Sequence, residues 1–292
     1  MNKNSKTDQL SNKLKDKYQA IRQDPDVYLE GLLYSKPITY WDYIHTDALL
    51  SLQIQRTEFP DEMVFISYHQ INELVFKMIL WEIRQVAEAS PLSLSFFKDK
   101  LMRISRYFDM LTTSFDIMRD GMDVLQYNKF RQTLTPASGF QSAQYRLIEF
   151  ASTERINLID VRFRKKIDTN TSFEEAFDHL YWQAAGKDFK TGQKSILLIN
   201  FENRYKNEFK TFMEAYASKN LWSKFKELPE EHQKDEALIA AMRHYDYTVN
   251  ITWVMAHYNA AKHYILGKDG DGAATGGSDW QKYMHPKYQK RI

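Results

Sequence analysis

Two histidines lie in apolar segments of predicted helices, where an imidazole could do chemistry. His69 stands within "FISYHQINEL" (residues 65–74), which has no glycine or proline, and His257 stands four residues after Trp253 in "WVMAHYNAAKHYILG". A neutral imidazole can bind a haem iron, and the alanines one turn beyond His257 leave room for a flat macrocycle. The alternative at each position is an interior histidine without a ligand, so the spacing leaves both interpretations open.

A second candidate site lies in "YNKFRQTLTPASGFQSAQYR", residues 127–146. Tyr127 and Arg131 are spaced i, i+4, so a short helix would present a phenol and a guanidinium on one side. An arginine in such a place can bind a carboxylate through two hydrogen bonds. The alternative is a surface arginine at a helix end. Tyr40 and Tyr43, spaced i, i+3, are by default packing residues.

Composition excludes several kinds of site. The chain of 292 residues has no cysteine, which excludes disulfides, thiolate-bound haem, iron–sulfur clusters and cysteine zinc sites. His257 and His263 are six residues apart, on different faces of a helix, and HExxH does not occur, which argues against a two-histidine zinc helix. The 40 basic and 38 acidic residues give a net charge of +2. That balance predicts neither a nucleic acid nor a membrane as partner.

The pattern predicts an all-α protein, a large helical bundle in one domain covering 1–292. Only 10 glycines and 7 prolines occur, and apolar residues recur mostly at spacings of three and four. The polar N-terminus and the lack of a long apolar stretch predict a soluble cytoplasmic protein. Helices are predicted at about 10–24, 40–55, 61–89, 94–119, 123–133, 141–151, 171–184, 201–217, 221–227, 233–243 and 245–266.

The elements that must position the histidines have distinctive sequences. In the helix predicted at 61–89, one apolar stripe runs through Val64, Tyr68, Ile71, Val75, Met78, Ile83 and Val86. A second stripe carries Phe65, His69, Asn72 and Phe76. The second stripe forms either core or the wall of a cavity. Beyond the last helix, segment 267–279 holds half of the ten glycines, which indicates a loop that is flexible or shaped around something.

Several of these segments together resemble the tryptophan 2,3-dioxygenase family. In family order they are "YWDYIHTDALLSLQ", "PDEMVFISYHQINELVFKMILWEI", "FRQTLTPASGFQSAQYRLIE", "WVMAHYNAAKHYILG" and "TGGSDW". The resemblance spans residues 40 to 280 and is loose over 152–245. It implies a helical homotetramer that binds haem b. Such an enzyme inserts O2 across the indole C2–C3 bond of L-tryptophan to give N-formylkynurenine, the first step of the kynurenine route.

The resemblance also implies how the cofactor is held. His257 would be the proximal ligand of the haem iron, with Trp253 beside it. Ser138 and Gly139 would contact the haem. His69 would be the distal histidine that meets the indole N–H. The bundle would therefore enclose a haem pocket.

For the substrate, the resemblance implies that Arg131 binds the carboxylate with Tyr127 beside it, while Phe65 packs on the indole. Thr275, in the "TGGS" sequence, would close on the ammonium and carboxylate end. The loop before this threonine is a few residues longer than the family pattern, and "SDWQKYM" replaces the usual "SSGYxYL". Tyr40 and Tyr43 match tyrosines that enter a neighbouring subunit's pocket, so a segment of about 1–45 would reach that subunit.

Three alternatives remain on sequence grounds. The first is a related haem-dependent oxygenase that acts on another aromatic amino acid or indole. The second is a haem-binding protein without turnover. The third is a helical interaction protein without a cofactor.

Overall fold

The structure is a computed structural model that describes residues 5–131, 139–188 and 191–266. Helices account for nearly all of its regular structure, which confirms the all-α prediction. The described residues form two compact units, which divide between Gln53 and Ile54. The α-helices are α1 (Lys6–Ala20), α2 (Pro25–Tyr34), α3 (Tyr40–Ile44), α4 (Thr46–Leu50), α5 (Asp61–Glu88), α6 (Leu94–Asp120), α7 (Val124–Phe130), α8 (Ala143–Ser152), α9 (Phe173–Phe177), α10 (Ile196–Tyr216), α11 (Leu221–Glu227), α12 (Glu230–Gln233), α13 (Glu236–Tyr247) and α14 (Trp253–Leu266).

The first unit contains α1 to α4 and buries little. In these four helices only Pro25 is buried. The single helix predicted over 40–55 is wrong, because His45 has a left-handed backbone conformation (φ 56) that separates α3 from α4. The chain is not helical after α4 until it reaches Asp61. Helix α2, begun by the Asp24 cap and a proline at its first position, was not predicted.

In the second unit, α5 and α6 are the long helices around which the others pack. Acidic residues open α5, and the Ser93 hydroxyl caps α6 by accepting from the backbone N–H of Phe96. Helix α6 contacts α5, α13 and α14. A buried ion pair joins α5 to α6, with Lys100 Nζ 2.6 Å from Glu82 Oε2. These contacts fix α5 relative to the helix that carries His257.

Helices α13 and α14 are joined by a π-helical turn at Thr248–Thr252, so the predicted boundary at 243–245 is wrong. Tyr245, Val249, Trp253 and His257 follow one another at intervals of four, and the first three pack in one core. In an α-helix, each step of four residues overshoots a full turn by about 40°. The wider π turn removes part of this drift, and it keeps Trp253 on the same buried face as Tyr245.

A second core lies between α8, α9 and α10. The helix predicted at 171–184 is wrong, because Leu180 is extended and forms an antiparallel bridge with Ile159. After Leu180 a 3-10 helix runs over Tyr181–Gly186, and other 3-10 turns occur at Gly139–Gln141 and Arg155–Leu158. Helix α10 begins at Ile196, earlier than predicted, because Ser195 caps it.

No helix in the described ranges combines the length and the apolar character that a membrane crossing requires.

Candidate functional site

His69 lies on α5 with one ring nitrogen committed to the backbone. Its Nδ1 is 2.7 Å from the carbonyl oxygen of Phe65, one turn earlier. A carbonyl can only accept, so Nδ1 carries the proton and Nε2 presents a lone pair. The ring centroids of Phe65 and His69 are 4.0 Å apart.

His69 is exposed to solvent on one side, although protein atoms surround much of its ring. Burial lowers its pKa from 6.5, and this effect exceeds the opposing effects of the Phe65 hydrogen bond and the Glu73 charge. The imidazole is therefore neutral at pH 7, and Nε2 can accept a hydrogen bond.

The two predicted stripes of α5 are only partly correct. In the first stripe, Ile71 and Met78 are 48% and 45% exposed and do not belong to the core of this chain. In the second stripe, Asn72 and Phe76 are buried. The solvent-accessible part of the second stripe is therefore confined to Phe65 and His69.

His257 lies on α14 between two aromatic rings. Its ring stacks on Phe115 of α6 at 5.4 Å and on Trp253 at 6.0 Å between centroids. Burial, with a smaller effect from His69, lowers the pKa of His257 from 6.5 to about 4. The ring is thus neutral at pH 7, and no hydrogen bond to it occurs within the part of the chain described.

The two histidines influence each other electrostatically. A positive charge on His69 disfavours protonation of His257. The two rings are linked by aromatic contacts, because the Tyr68 ring lies 5.4 Å from that of His69 and 6.0 Å from that of Phe115, which stacks on His257. The structure thus brings together the two imidazoles that the sequence singled out.

Helix α7 brings the predicted carboxylate-binding residues to the same region. The ring of Tyr127 lies 6.1 Å from that of Phe65, and burial raises the pKa of its phenol. Arg131 is 5% exposed at the end of α7, with its guanidinium 5.8 Å from the Tyr127 ring centre. Its Nη1 lies 3.5 Å from Asn128 Oδ1. A buried guanidinium beside an aromatic wall can bind a carboxylate in preference to water.

The other predicted residues lie in the first unit, in a 3-10 turn or outside the described ranges. Tyr40 and Tyr43 lie on α3 and are 74% and 71% exposed. Gly139 begins the 3-10 turn Gly139–Gln141. Ser138 and Thr275, like the glycine-rich segment 267–279, lie outside the described residues.

Sequence reasoning missed residues that hold the site. Phe115, on α6, stacks on His257, and no local pattern pairs these two positions. Tyr264 packs on Tyr127 with 4.2 Å between centroids, and its hydroxyl donates to the carbonyl of Met118. Tyr264 follows His257 by seven residues, two turns of helix, so periodicity could have found it.

The donor set of the site suits a haem. Among the described residues, no group of three His, Asp or Glu side chains could hold a bare metal ion. A haem brings four nitrogen ligands of its own and needs one neutral imidazole from the protein. His257 supplies such an imidazole, and its neighbours Ala256 and Ala260 are small.

A groove of about 390 Å³ lies between α6 and α14 and borders the surroundings of His257, because its wall includes Phe115, Ala256 and Ala260. The wall also contains the ion pair of Asp116 with Arg119, and it contains none of the residues predicted for the site.

Comparisons with known proteins agree with the resemblance seen in the sequence. A sequence model described as tryptophan 2,3-dioxygenase matches residues 31–266. A tryptophan 2,3-dioxygenase of Ruegeria sp. (strain TM1040) is 41% identical over 124 residues, which is 42% of this chain and 44% of that protein. One from Ruegeria pomeroyi is 40% identical over 130 residues, 44% of this chain and 46% of the relative.

These two matches thus cover less than half of each relative's length. A longer match exists to a tryptophan 2,3-dioxygenase of Bradyrhizobium diazoefficiens. It is 29% identical over 264 residues, 86% of this chain and 88% of that protein.

Proposed function

The chain belongs to the tryptophan 2,3-dioxygenase family, and we propose that it is a haem-dependent dioxygenase of L-tryptophan. In this reaction both atoms of O2 enter the substrate, the indole C2–C3 bond breaks, and N-formylkynurenine forms. The observation that carries the proposal is the row of ring contacts that connects His69 on α5 to His257 on α14, beside the aromatic and guanidinium groups of α7.

His257 is the proposed proximal ligand of haem b. Its low pKa keeps a ring nitrogen unprotonated at pH 7, and stacking on Phe115 and Trp253 holds the ring in one orientation. Haem, when bound, supplies the activation of dioxygen. Ser138 and Gly139 are proposed to contact the cofactor from the segment between α7 and α8.

His69 is the proposed partner of the indole N–H. Because Nδ1 donates to the Phe65 carbonyl, Nε2 is left as an acceptor. An indole N–H is far too weak an acid for a near-neutral imidazole to deprotonate readily, so His69 orients the ring by accepting a hydrogen bond.

The residues of α7 are proposed to bind the amino-acid end of the substrate. Arg131 would hold the carboxylate through two charge-assisted hydrogen bonds, with Tyr127 beside it. Phe65 would pack on the indole, and Thr275 would close on the ammonium and carboxylate end. Holding both ends of the substrate fixes C2 and C3 for reaction.

Assembly as a cytoplasmic homotetramer is also proposed, with the first unit reaching a neighbouring subunit. That unit exposes many large apolar side chains. Their contact with water is unfavourable in a single chain, and burial against a neighbouring subunit would remove it. Tyr40 and Tyr43 would enter the neighbour's substrate pocket. The exposed residues include Val27, Leu32, Leu33, Tyr34, Ile38, Tyr40, Trp41, Tyr43, Leu50 and Leu52.

The test is to produce the protein with haem supplied, reduce it and add L-tryptophan with ¹⁸O2. A product heavier by two labelled oxygen atoms is expected. L-tyrosine serves as the comparison substrate, and preferred turnover of it with one labelled oxygen would indicate the related oxygenase. Bound haem without any product would indicate a binding protein, and a colourless protein that rejects added haemin would exclude haem chemistry.

A further inference from the structure

Helices α5 and α7 cap each other at their N-termini. The backbone N–H of Asp61 donates to Gln126 Oε1 at 3.3 Å, and the backbone N–H of Asp123 donates to Asp61 Oδ2 at 2.6 Å. Asp123 in turn caps its own helix, because its Oδ1 accepts from Gln126 N–H at 2.9 Å. Each helix thus satisfies a backbone donor at the start of the other.

The start of α5 is itself held firmly. The buried carboxylate of Glu62 accepts from Thr57 N–H at 2.7 Å, from Thr57 Oγ1 at 2.6 Å and from Arg56 N–H at 3.1 Å. Burial favours the protonated carboxyl, but the hydrogen bonds from Thr57 and Arg56 outweigh it and lower the pKa of Glu62. Because Asp61 directly precedes Glu62, its backbone is held in one position.

In each helix the site residues follow this contact by the same number of residues. On α5, Phe65 and His69 follow Asp61 by four and eight residues. On α7, Tyr127 and Arg131 follow Asp123 by four and eight residues. Residues spaced by four lie close to one helix face, with a drift of about 40° per step, so the contact between Asp61 and Asp123 lies near the side of each helix that carries the site.

We propose that Asp61, together with Gln126, is a positioning residue for substrate binding. The contact fixes the separation between the imidazole of His69 and the guanidinium of Arg131. It therefore favours a substrate whose ring N–H and carboxylate are separated as they are in tryptophan. This inference rests on the proposed function, and it adds two residues that do not touch the substrate.

The test measures ligand binding to the haem-loaded full chain by calorimetry. Asp61→Ala removes the acceptor, and we expect the Kd for L-tryptophan to rise about tenfold. Loss of one helix cap lowers the stability of the helix by a comparable factor. Tryptamine, which lacks the carboxylate, should bind to Asp61→Ala with a Kd within about twofold of that of the unaltered protein, because its contacts are with α5. Asp61→Asn keeps an oxygen acceptor and should recover most of the lost affinity.

Asp168→Ala is the matched control. Asp168 also accepts hydrogen bonds from backbone N–H groups, those of Asn170 and Thr171, but it lies outside the site. This variant should bind both ligands normally. Normal L-tryptophan binding by Asp61→Ala, or equal weakening of tryptamine, would overturn the inference.

Hydrogen exchange separates this inference from the proposed function. In Asp61→Ala, amides of residues 123–131 should exchange faster while those of α6 remain unchanged. If the unaltered protein binds no L-tryptophan, the proposed function fails, and exchange alone decides whether Asp61 holds α7. Unchanged exchange at 123–131 would reject the positioning role whatever the ligand does.

Discussion

His69 and His257 are both imidazoles on long helices, and both have a lowered pKa, but their surroundings differ. His69 has one nitrogen bonded to the Phe65 carbonyl and a ring that solvent reaches. His257 is stacked between Phe115 and Trp253, and its nitrogens meet no hydrogen-bonding group among the described residues.

This difference indicates that the partner of each ring, not the residue type, decides what the histidine can do. A ring with Nδ1–H committed to a carbonyl keeps one directed acceptor, which suits a substrate N–H. A ring held only by stacking keeps a nitrogen for a metal. Neither property is visible in the sequence, where both histidines simply interrupt apolar runs.

The largest expected effect separates the two histidines by haem binding. We expect His257→Ala to weaken haem binding by well over 100-fold, more than the roughly 10- to 100-fold that loss of an outer partner costs. His69→Ala should retain haem and lose turnover. His263→Ala is the control, because this residue lies on the same helix but is exposed. The measurement is the ratio of haem to purified protein.

Loss of haem from His69→Ala, with retention in His257→Ala, would reverse the proximal and distal assignments. Loss from both would indicate that each imidazole is a ligand.

A second prediction concerns the region around His69, which should govern substrate affinity and not haem content. Arg131→Lys replaces a planar fork with a point charge, so we expect KM for L-tryptophan to rise about 10- to 100-fold at unchanged haem content. Arg119→Lys, which alters a surface ion pair with Asp120, is the control. Steady-state kinetics provide the test, and an unchanged KM would count against carboxylate binding by Arg131.

The third prediction uses the pH dependence of His69. Burial places its pKa below 6.5, and only the neutral ring can accept the indole N–H. Activity should therefore be level from pH 7 down to 6.5, and kcat/KM should fall about tenfold per pH unit once the pH drops below the pKa. His69→Gln retains an acceptor that does not titrate in this range.

The acid decline should be absent from His69→Gln. A decline of the same shape in both proteins would assign it to another group.

Sequence alone located the elements whose signals are local. Helix α11 was predicted at its observed bounds, and α5 was placed within about a residue because acidic residues open it. Features that depend on tertiary contacts were not predictable. The π turn before Trp253, the left-handed His45 and the stack of Phe115 on His257 each depend on neighbours distant in sequence.

The smallest expected effect concerns Trp253, whose ring stacks on that of His257. Trp253 stacks on Tyr145 at 4.7 Å, and its indole N–H is buried without a partner in the described structure. Trp253→Phe leaves a small cavity but removes this unsatisfied donor. These two effects oppose each other, each at about 1 to 3 kcal/mol. We therefore expect the free energy of unfolding to change by no more than about 1 kcal/mol.

Trp182→Phe is the matched control, because Trp182 is also buried in a core with an unpaired indole N–H but lies away from His257. Both variants should unfold at similar denaturant concentrations. Only Trp253→Phe should lower haem affinity, by about threefold, since it loosens one side of the His257 ring. Equal haem affinities in the two variants would show that Phe115 alone suffices to orient the imidazole, and the contrast with His69 would then depend on one aromatic contact.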